Sequence, residues 1–196
     1  MKFIRKSIQW LQREWRDKTF RIYAIVNLIL LAALVTENIS LFSMAVSRMV
    51  RYSILFAGLT VIAWIDRRSK RIPNEILLAL LLLRVIVLAG EWLVHPSYGL
   101  ALLISALTGG LIGGGLFCIC YFISRGGVGM GDVKLFAIMG VYLGLGVIMT
   151  TVFMTVLVSA VYSVVQLIRK KTKLKDEVPF APFAWIGLIL TMAIGM

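Results

Sequence analysis

Long apolar runs, separated by short polar stretches, cover most of this 196-residue chain from position 22 onward. A helix that spans a membrane needs about 20 consecutive apolar residues. Seven runs indicate such helices, at 22–35, 40–65, 76–94, 100–123, 133–148, 149–168 and 180–196. If the polar stretch 36–40 is a break within one longer helix rather than a loop, six spans remain. The pattern therefore predicts an all-α, polytopic transmembrane helical bundle with six or seven spans.

The first 21 residues follow a different pattern, in which basic residues are threaded among apolar ones. The apolar residues recur at helical spacing, at Ile4, Ile8, Leu11 and Trp15. Seven positive charges fall largely on other faces, which is typical of a basic amphipathic helix lying on an anionic membrane surface. We therefore divide the chain into a basic interfacial segment, 1–21, and a transmembrane domain, 22–196.

The composition supports this division, since 60% of the residues are hydrophobic and only 15% are charged. A net charge of +12 in a soluble protein would suggest nucleic acid as a partner. Here the basic residues gather at the ends of the apolar runs, so the positive-inside rule accounts for them and the expected partner is the lipid bilayer. With the N-terminus inside, the loops at 66–74, 124–132 and 169–178 all face the cytoplasm.

Other polar and small residues within the runs have structural interpretations. Cys118 and Cys120 point in different directions on a helix, and there is no CxxC motif, so we expect neither a disulfide nor a zinc site. Arg84 lies in the middle of a span and requires a partner, for which Glu91 or Glu37 is suited. The small-residue run SALTGGLIGGG, at 105–115, predicts close helix packing. No metal or organic cofactor is implied.

Two of the four aspartates lie at the expected cytoplasmic boundary of the membrane. Asp66 ends the apolar segment AGLTVIAWID, and Asp132 begins the segment GDVKLFAIMG. A carboxylate at that depth is costly and is therefore a candidate for function. Two such carboxylates brought together would share a proton and titrate as a unit, as aspartic proteolysis requires. Taken alone, either aspartate could equally be a helix cap or a charge balance at the membrane edge.

The glycines in front of Asp132 have an interpretation of their own. The segment GGVGMGDVK covers 126–134, with Gly129 and Gly131 in the two positions of a GxGD motif. A backbone without Cβ atoms packs tightly, adopts positive φ and approaches an extended peptide closely. A GxGD motif by itself is weak evidence for a protease.

Three local patterns in this order resemble those of the type IV prepilin peptidases, a family of GxGD-type membrane aspartic proteases. The first is Asp66, followed by RRSKR and then by Ile72, Pro73 and Asn74; the second is GGVGMGDVKLFA; the third is PFAPF, which covers 179–183. The resemblance covers most of the chain from about residue 53, whereas the first 50 residues look unlike the family. Ala181 stands where the family usually has glycine.

The resemblance implies a concrete function. Members of the family cleave the short basic leader from prepilins at the cytoplasmic face of the bacterial inner membrane, and the matching catalytic residues are Asp66 and Asp132. Without a CxxC motif, the chain is similar to the short, peptidase-only branch that lacks the methyltransferase zinc domain, like those that serve Tad-type pili. The expected substrate is a prepilin-like membrane protein, such as a type IV pilin, a Tad pilin or a pseudopilin.

Several further residues have candidate supporting roles. Lys134 is suited to tune Asp132 or to hold an acidic substrate residue, although snorkelling to the interface explains it equally well. Pro73 suits the first turn of a helix and precedes Asn74. Pro179 and Pro182 open the last span, where we expect a non-helical strip that holds the substrate in an extended form; simple helix starts are an equal alternative.

Three alternatives to a prepilin peptidase remain at this stage. A preflagellin- or presenilin-like GxGD protease would keep the chemistry and change the substrate. A proton-coupled transporter would use the two aspartates to carry protons, but it predicts aspartates nearer the middle of the membrane and inverted repeats. A catalytically dead assembly factor would bind pilins without cutting them.

Overall fold

A computed structural model describes residues 14–15, 17–42, 46–124, 127–169 and 179–195. These residues form six helices and no strand: α1 Lys18–Phe42, α2 Val46–Ser69, α3 Asn74–Val94, α4 Pro96–Ile123, α5 Met130–Ile168 and α6 Ala181–Ala193. The all-α fold expected from the sequence is confirmed. Most of the predicted interfacial segment lies outside the described residues, and 18–21 form the first turn of α1.

The predicted number of spans needs a correction. In the described part of the chain, five helices, α1 to α5, are long and apolar enough to cross a membrane, and α6 is a shorter apolar helix. The described helices thus give five spans, or six with α6, rather than six or seven, because the runs 133–148 and 149–168 are two arms of α5 that meet at Gly144 with no loop between them. The polar stretch 36–40 is not a loop, since Thr36 and Asn38 donate side-chain hydrogen bonds to carbonyl groups one turn earlier within α1.

Helix α5 folds back on itself at Gly144. A Cβ atom on Gly113 would lie 2.5 Å from the carbonyl oxygen of Phe136 and 3.1 Å from Cγ1 of Ile148. In a straight helix Phe136 and Ile148 would lie about 18 Å apart along the axis. The helix must therefore turn back between them for both to lie beside Gly113. Gly144 has φ 76° and ψ 175°, a conformation essentially confined to glycine, and it therefore sets the bend four residues before the expected boundary.

Glycines bring α4 and α5 into backbone contact. A Cβ atom on Gly109 would overlap the carbonyl oxygen of Gly140, and a Cβ atom on Gly140 would overlap that of Gly109. This confirms the close packing predicted from the small-residue run. The cysteines on α4, Cys118 and Cys120, are free, as expected.

A buried ionic cluster holds α2, α3 and α5 together away from the predicted cytoplasmic end. Arg84 is 1% exposed, and its Nη1 lies 3.0 Å from Oε2 of Glu91. The other carboxylate oxygen of Glu91 lies 3.0 Å from Nε of Arg51. Arg84 Nε also donates to the carbonyl oxygen of Val141, just before the bend. The predicted pairing of Arg84 is thus confirmed with Glu91.

We expect Gly109→Ala to lower the free energy of unfolding by about 1–3 kcal/mol, because the new methyl group must push two backbones apart. Gly115→Ala on the same helix is the matched control, since a Cβ atom there has nothing within 4 Å. Equilibrium unfolding of the purified protein in mixed micelles measures both. Equal effects of the two substitutions would contradict the close contact.

We also expect Glu91→Gln to lower the free energy of unfolding by about 3–5 kcal/mol, because it leaves the buried Arg84 and the half-buried Arg51 without their carboxylate. Glu75→Gln in the exposed first turn of α3 should change it by less than about 0.5 kcal/mol. The same unfolding titration compares the two. A neutral Glu91→Gln would show that the cluster does not hold the helices.

Candidate active site

The end of α2 and the beginnings of α3, α5 and α6 meet at one end of the bundle around a cavity of about 470 Å³. The cavity brings together seven of the nine residues proposed from sequence, namely Asp66, Asp132, Gly129, Gly131, Asn74, Lys134 and Pro179. Pro73 and Pro182 lie outside its lining. Asp66 and Asp132, which are 66 positions apart in the chain, thus line the same cavity because the ends of their helices converge there.

Asp66 is 4% exposed and is held by the backbone at the start of the last helix. The Ala181 N–H donates to Oδ2 of Asp66 at 3.0 Å, and the backbone of Phe180 also interacts with this carboxylate. Ala181 is the first residue of α6, so its N–H is among those that lack an intrahelical acceptor. The positive end of the α6 dipole therefore stabilises the Asp66 carboxylate.

Asp132 is the third residue of α5 and is tied to the residue that precedes the helix. The Gly129 N–H donates to Oδ2 of Asp132 at 3.2 Å, while the Asp132 N–H donates to the Gly129 carbonyl oxygen at 3.0 Å. Asp132 therefore satisfies a free N–H at the helix start, the capping role considered from sequence, and lines the cavity as well. Each aspartate is thus anchored by a backbone N–H near the start of a helix.

The glycines near Asp132 act through close packing and not through positive φ. Gly129 is extended, with φ −75° and ψ 145°, and positive φ among the described glycines is confined to Gly144 and Gly195. The expectation of positive φ is therefore wrong for Gly127, Gly129 and Gly131. At Gly131 a Cβ atom would lie 3.2 Å from the Cβ of Ile72. Its absence lets the segment between α2 and α3 rest on the start of α5.

Lys134 is exposed, and its Nζ donates to Oδ1 of Asn74 at 3.0 Å. Asn74 is the first residue of α3, so this hydrogen bond joins the starts of α3 and α5 across the cavity. In the described part of the chain Lys134 makes no ion pair with Asp132.

The prolines lie at or just before helix starts. Pro73 is the residue before α3, in an extended conformation, and its carbonyl oxygen accepts the Leu77 N–H. Pro182 lies in the first turn of α6. Pro179 precedes α6 and lines the cavity. The neighbouring Phe180 packs on the stacked rings of Phe117 and Phe136, which fixes the path of the chain there.

Five residues that line the cavity lie within the three quoted patterns but were given no role of their own from sequence: Lys70, Arg71, Ile72, Gly127 and Phe180. A second feature was also missed, since Arg68 lies 2.8 Å from Oε2 of Glu14 and 2.6 Å from Oδ2 of Asp17. This guanidinium donates to Asp17 and lowers the pKa of that carboxyl below its usual value. These two ion pairs hold the chain before α1 against the end of α2. Arg68, which makes both of them, lies two residues after Asp66.

The residues around the cavity suit acid–base chemistry on a substrate that enters from the end of the bundle. In the described ranges no group of three or more His, Cys, Asp or Glu side chains could hold a metal ion. The fold and the cavity define a multi-pass membrane protein with two aspartates, from separate helices, facing one space.

Comparisons with known proteins agree with this class. Residues 53–164 match the model of the type IV leader peptidase family, and the chain belongs to that family. It is 33% identical over 144 residues to a prepilin leader peptidase/N-methyltransferase of Bacillus subtilis, covering 70% of this chain and 52% of the relative. The corresponding protein of Stutzerimonas stutzeri is 30% identical over 142 residues, covering 67% and 46%. The chain thus spans about half the length of these relatives. No solved structure matches it.

We expect Gly131→Ala to lower the free energy of unfolding by about 1 kcal/mol, because the Cβ of Ile72 can move only with its backbone. In the double variant with Ile72→Gly, which removes that Cβ atom, the combined loss should be smaller than the sum of the two single losses, by about 0.5–1 kcal/mol. Gly146→Ala on the same helix is the control, since a Cβ atom there has nothing within 4 Å. Strict additivity would argue against this contact.

Proposed function

We propose that this protein is an aspartic endopeptidase that removes the leader peptide from prepilin-like membrane proteins at the cytoplasmic face of the bacterial inner membrane. The observation that carries the proposal is that Asp66 and Asp132, from separate helices, line one cavity. The family and the names of the two relatives support a peptidase that acts on prepilin leaders.

The proposed chemistry uses the two carboxylates with one shared proton. The ionised aspartate takes a proton from water, whose oxygen attacks the carbonyl carbon of the scissile bond. The protonated aspartate donates to the carbonyl oxygen and stabilises the developing negative charge. The tetrahedral intermediate then collapses, a proton passes to the amide nitrogen, and the C–N bond breaks. Water is the nucleophile, so no acyl-enzyme forms.

The walls of the cavity suit an extended peptide. Non-helical backbone surrounds it at 71–73, 127–129 and 179–180, and such backbone offers polar groups to a bound chain. In this proposal Gly129, Gly131, Asn74, Lys134 and Pro179 form the binding surface. Pro73 and Pro182 support it by setting where α3 and α6 begin.

The position of the cavity suits a substrate that is itself anchored in the membrane. Asp66 lies one turn from the end of α2, and Asp132 lies in the first turn of α5, so both are at the end of the apolar bundle. A leader peptide that leaves the membrane beside its own apolar helix would meet the dyad at that level. The excess of basic residues at this end supports a cytoplasmic position for the cavity, and the basic segment 1–21 would add an anchor on the membrane surface.

The proposal predicts that Asp66→Asn and Asp132→Asn each lower the rate of leader removal by at least about 10³-fold. The reason is that an amide can neither take a proton from water nor donate one as an acid. The measurement follows the gel mobility of a co-expressed prepilin-like substrate, with the expression of each variant checked in membranes. Asp17→Asn is the matched control and should retain cleavage, since Asp17 pairs with Arg68 and accepts the Thr19 N–H but does not line the cavity.

Cleavage by either dyad variant would exclude the assigned pair. A wild-type chain that binds the substrate without cutting it would identify an assembly factor. Proton flux in liposomes without cleavage would identify a transporter.

A further inference from the structure

Three cationic side chains share the cavity with the two aspartates: Lys70, Arg71 and Lys134. All three are exposed, and in the part of the chain that the structure describes none has a carboxylate within 4 Å. The nearby Arg68, by contrast, is paired with two carboxylates. Because the dyad would carry one shared proton, the cavity holds a surplus of positive charge that the described side chains leave uncompensated.

The preference for basic residues on the cytoplasmic side of a membrane would explain why such residues lie at this end of the bundle. It would not explain where each of their side chains is held. A lysine that only snorkels directs its ammonium group into bulk water. The Nζ of Lys134 is instead bound to the neutral Oδ1 of Asn74, within the cavity lining. Asn74 begins α3 and Lys134 lies near the start of α5, so the ammonium group sits among the positive ends of two helix dipoles. This arrangement strengthens the attraction for an anion.

Lys70 gives a second, independent observation. It ends α2 with φ 51°, and among the described residues other than glycine it alone has positive φ. Its N–H donates to the carbonyl oxygen of Asp66 at 2.8 Å, the usual arrangement of a left-handed helix end. Glycine adopts this conformation more easily than lysine. The turn therefore does not require the positive charge that a lysine brings, and Lys70 is one of the residues that line the cavity.

We infer that Lys70, Arg71 and Lys134 form an anion-binding rim that positions the substrate by taking one of its acidic side chains. The inference rests on the proposed function, because a peptide that is cut at the dyad is the molecule that occupies this cavity. Ammonium and guanidinium groups bind carboxylates through charge-assisted hydrogen bonds.

The rim also limits where the acidic residue lies. Lys70 follows Asp66 by about one helical turn, and Lys134 follows Asp132 by about half a turn, at about 5.4 Å per turn. An extended peptide advances about 3.3 Å per residue. The acidic residue therefore lies within about four residues of the scissile bond.

The first test uses the full-length protein and a series of prepilin-like substrates. Each substrate carries a single Glu at one of the four positions on either side of the scissile bond, and each has a Gln twin. At one position the wild type should prefer Glu over Gln. The double variant Lys70→Glu/Lys134→Glu should raise KM for that Glu substrate on the order of tenfold, with kcat little changed. It should lose more activity on the Glu substrate than on the Gln twin, and it should cut a Lys substrate better than the Glu substrate. Equal losses on Glu and Gln substrates would overturn the inference.

Two single variants separate charge from structure. Arg67→Glu changes an exposed basic residue that does not line the cavity, and it should keep the preference for Glu. Lys70→Gly keeps the turn and removes the charge, so it should weaken the preference while the protein remains as stable as the wild type. An unchanged preference in Lys70→Gly would remove Lys70 from the rim.

The last test does not depend on cleavage. A water-soluble carbodiimide joins a carboxylate to an ammonium group in direct contact, and the Asp66→Asn/Asp132→Asn variant removes the competing dyad. The Glu substrate should couple to Lys70 or Lys134, as located by mass spectrometry, and the Gln twin should not. Coupling in a protein whose wild type cuts nothing would support the rim and exclude the peptidase. Cleavage with neither coupling nor a preference for Glu would support the peptidase and exclude the rim.

Discussion

The hydrogen bond from the Ala181 N–H to the Asp66 carboxylate joins positions 115 residues apart, and the geometry of the site depends on it. A carboxylate that is 4% exposed has lost most of its water, and a buried charge without compensating donors is costly. The first residues of a helix have N–H groups without intrahelical acceptors. Starting α6 against the end of α2 therefore satisfies a buried acceptor and a free donor together. It also places Pro179 and Phe180 in the wall of the cavity.

That interaction is possible because α5 returns to the end of the bundle from which it started. The helix begins beside the cavity with Asp132, and the chain must reach the cavity again at Pro179. Gly144 provides the reversal, and the glycines of α4 let both arms of α5 pack against one helix. Arg84 secures the bend by donating to the carbonyl oxygen of Val141. Backbone packing far from the aspartates thus decides which segments surround them.

The basic residues of this chain have separate structural settings that their sequence pattern does not distinguish. Arg84 is buried with Glu91, and Arg68 fastens the chain before α1 to the end of α2. Lys70 and Lys134 face the cavity without a carboxylate partner in the described part of the chain. Arg84 could be assigned from sequence because a charge in the middle of an apolar run needs a nearby partner. The setting of Arg68 could not, because its partners Glu14 and Asp17 lie 54 and 51 residues away. Those of Lys70 and Lys134 could not, because the cavity forms only where helix ends distant in sequence meet.

The sequence by itself determined the membrane class, most of the helices and the position of Asp66 and Asp132 near helix ends, because hydrophobic run length and the cost of charge at the membrane boundary act locally. It also indicated the close packing around Gly109. Only the tertiary structure showed that the chain reverses at Gly144, four residues before the boundary expected between 148 and 149, since an apolar run carries no polar mark of a bend inside it. It likewise decided which backbone N–H groups anchor each aspartate and that Ile72 rests on Gly131. Those contacts join segments distant in sequence, and hydrophobic periodicity records which face of a helix is buried but not which neighbour buries it.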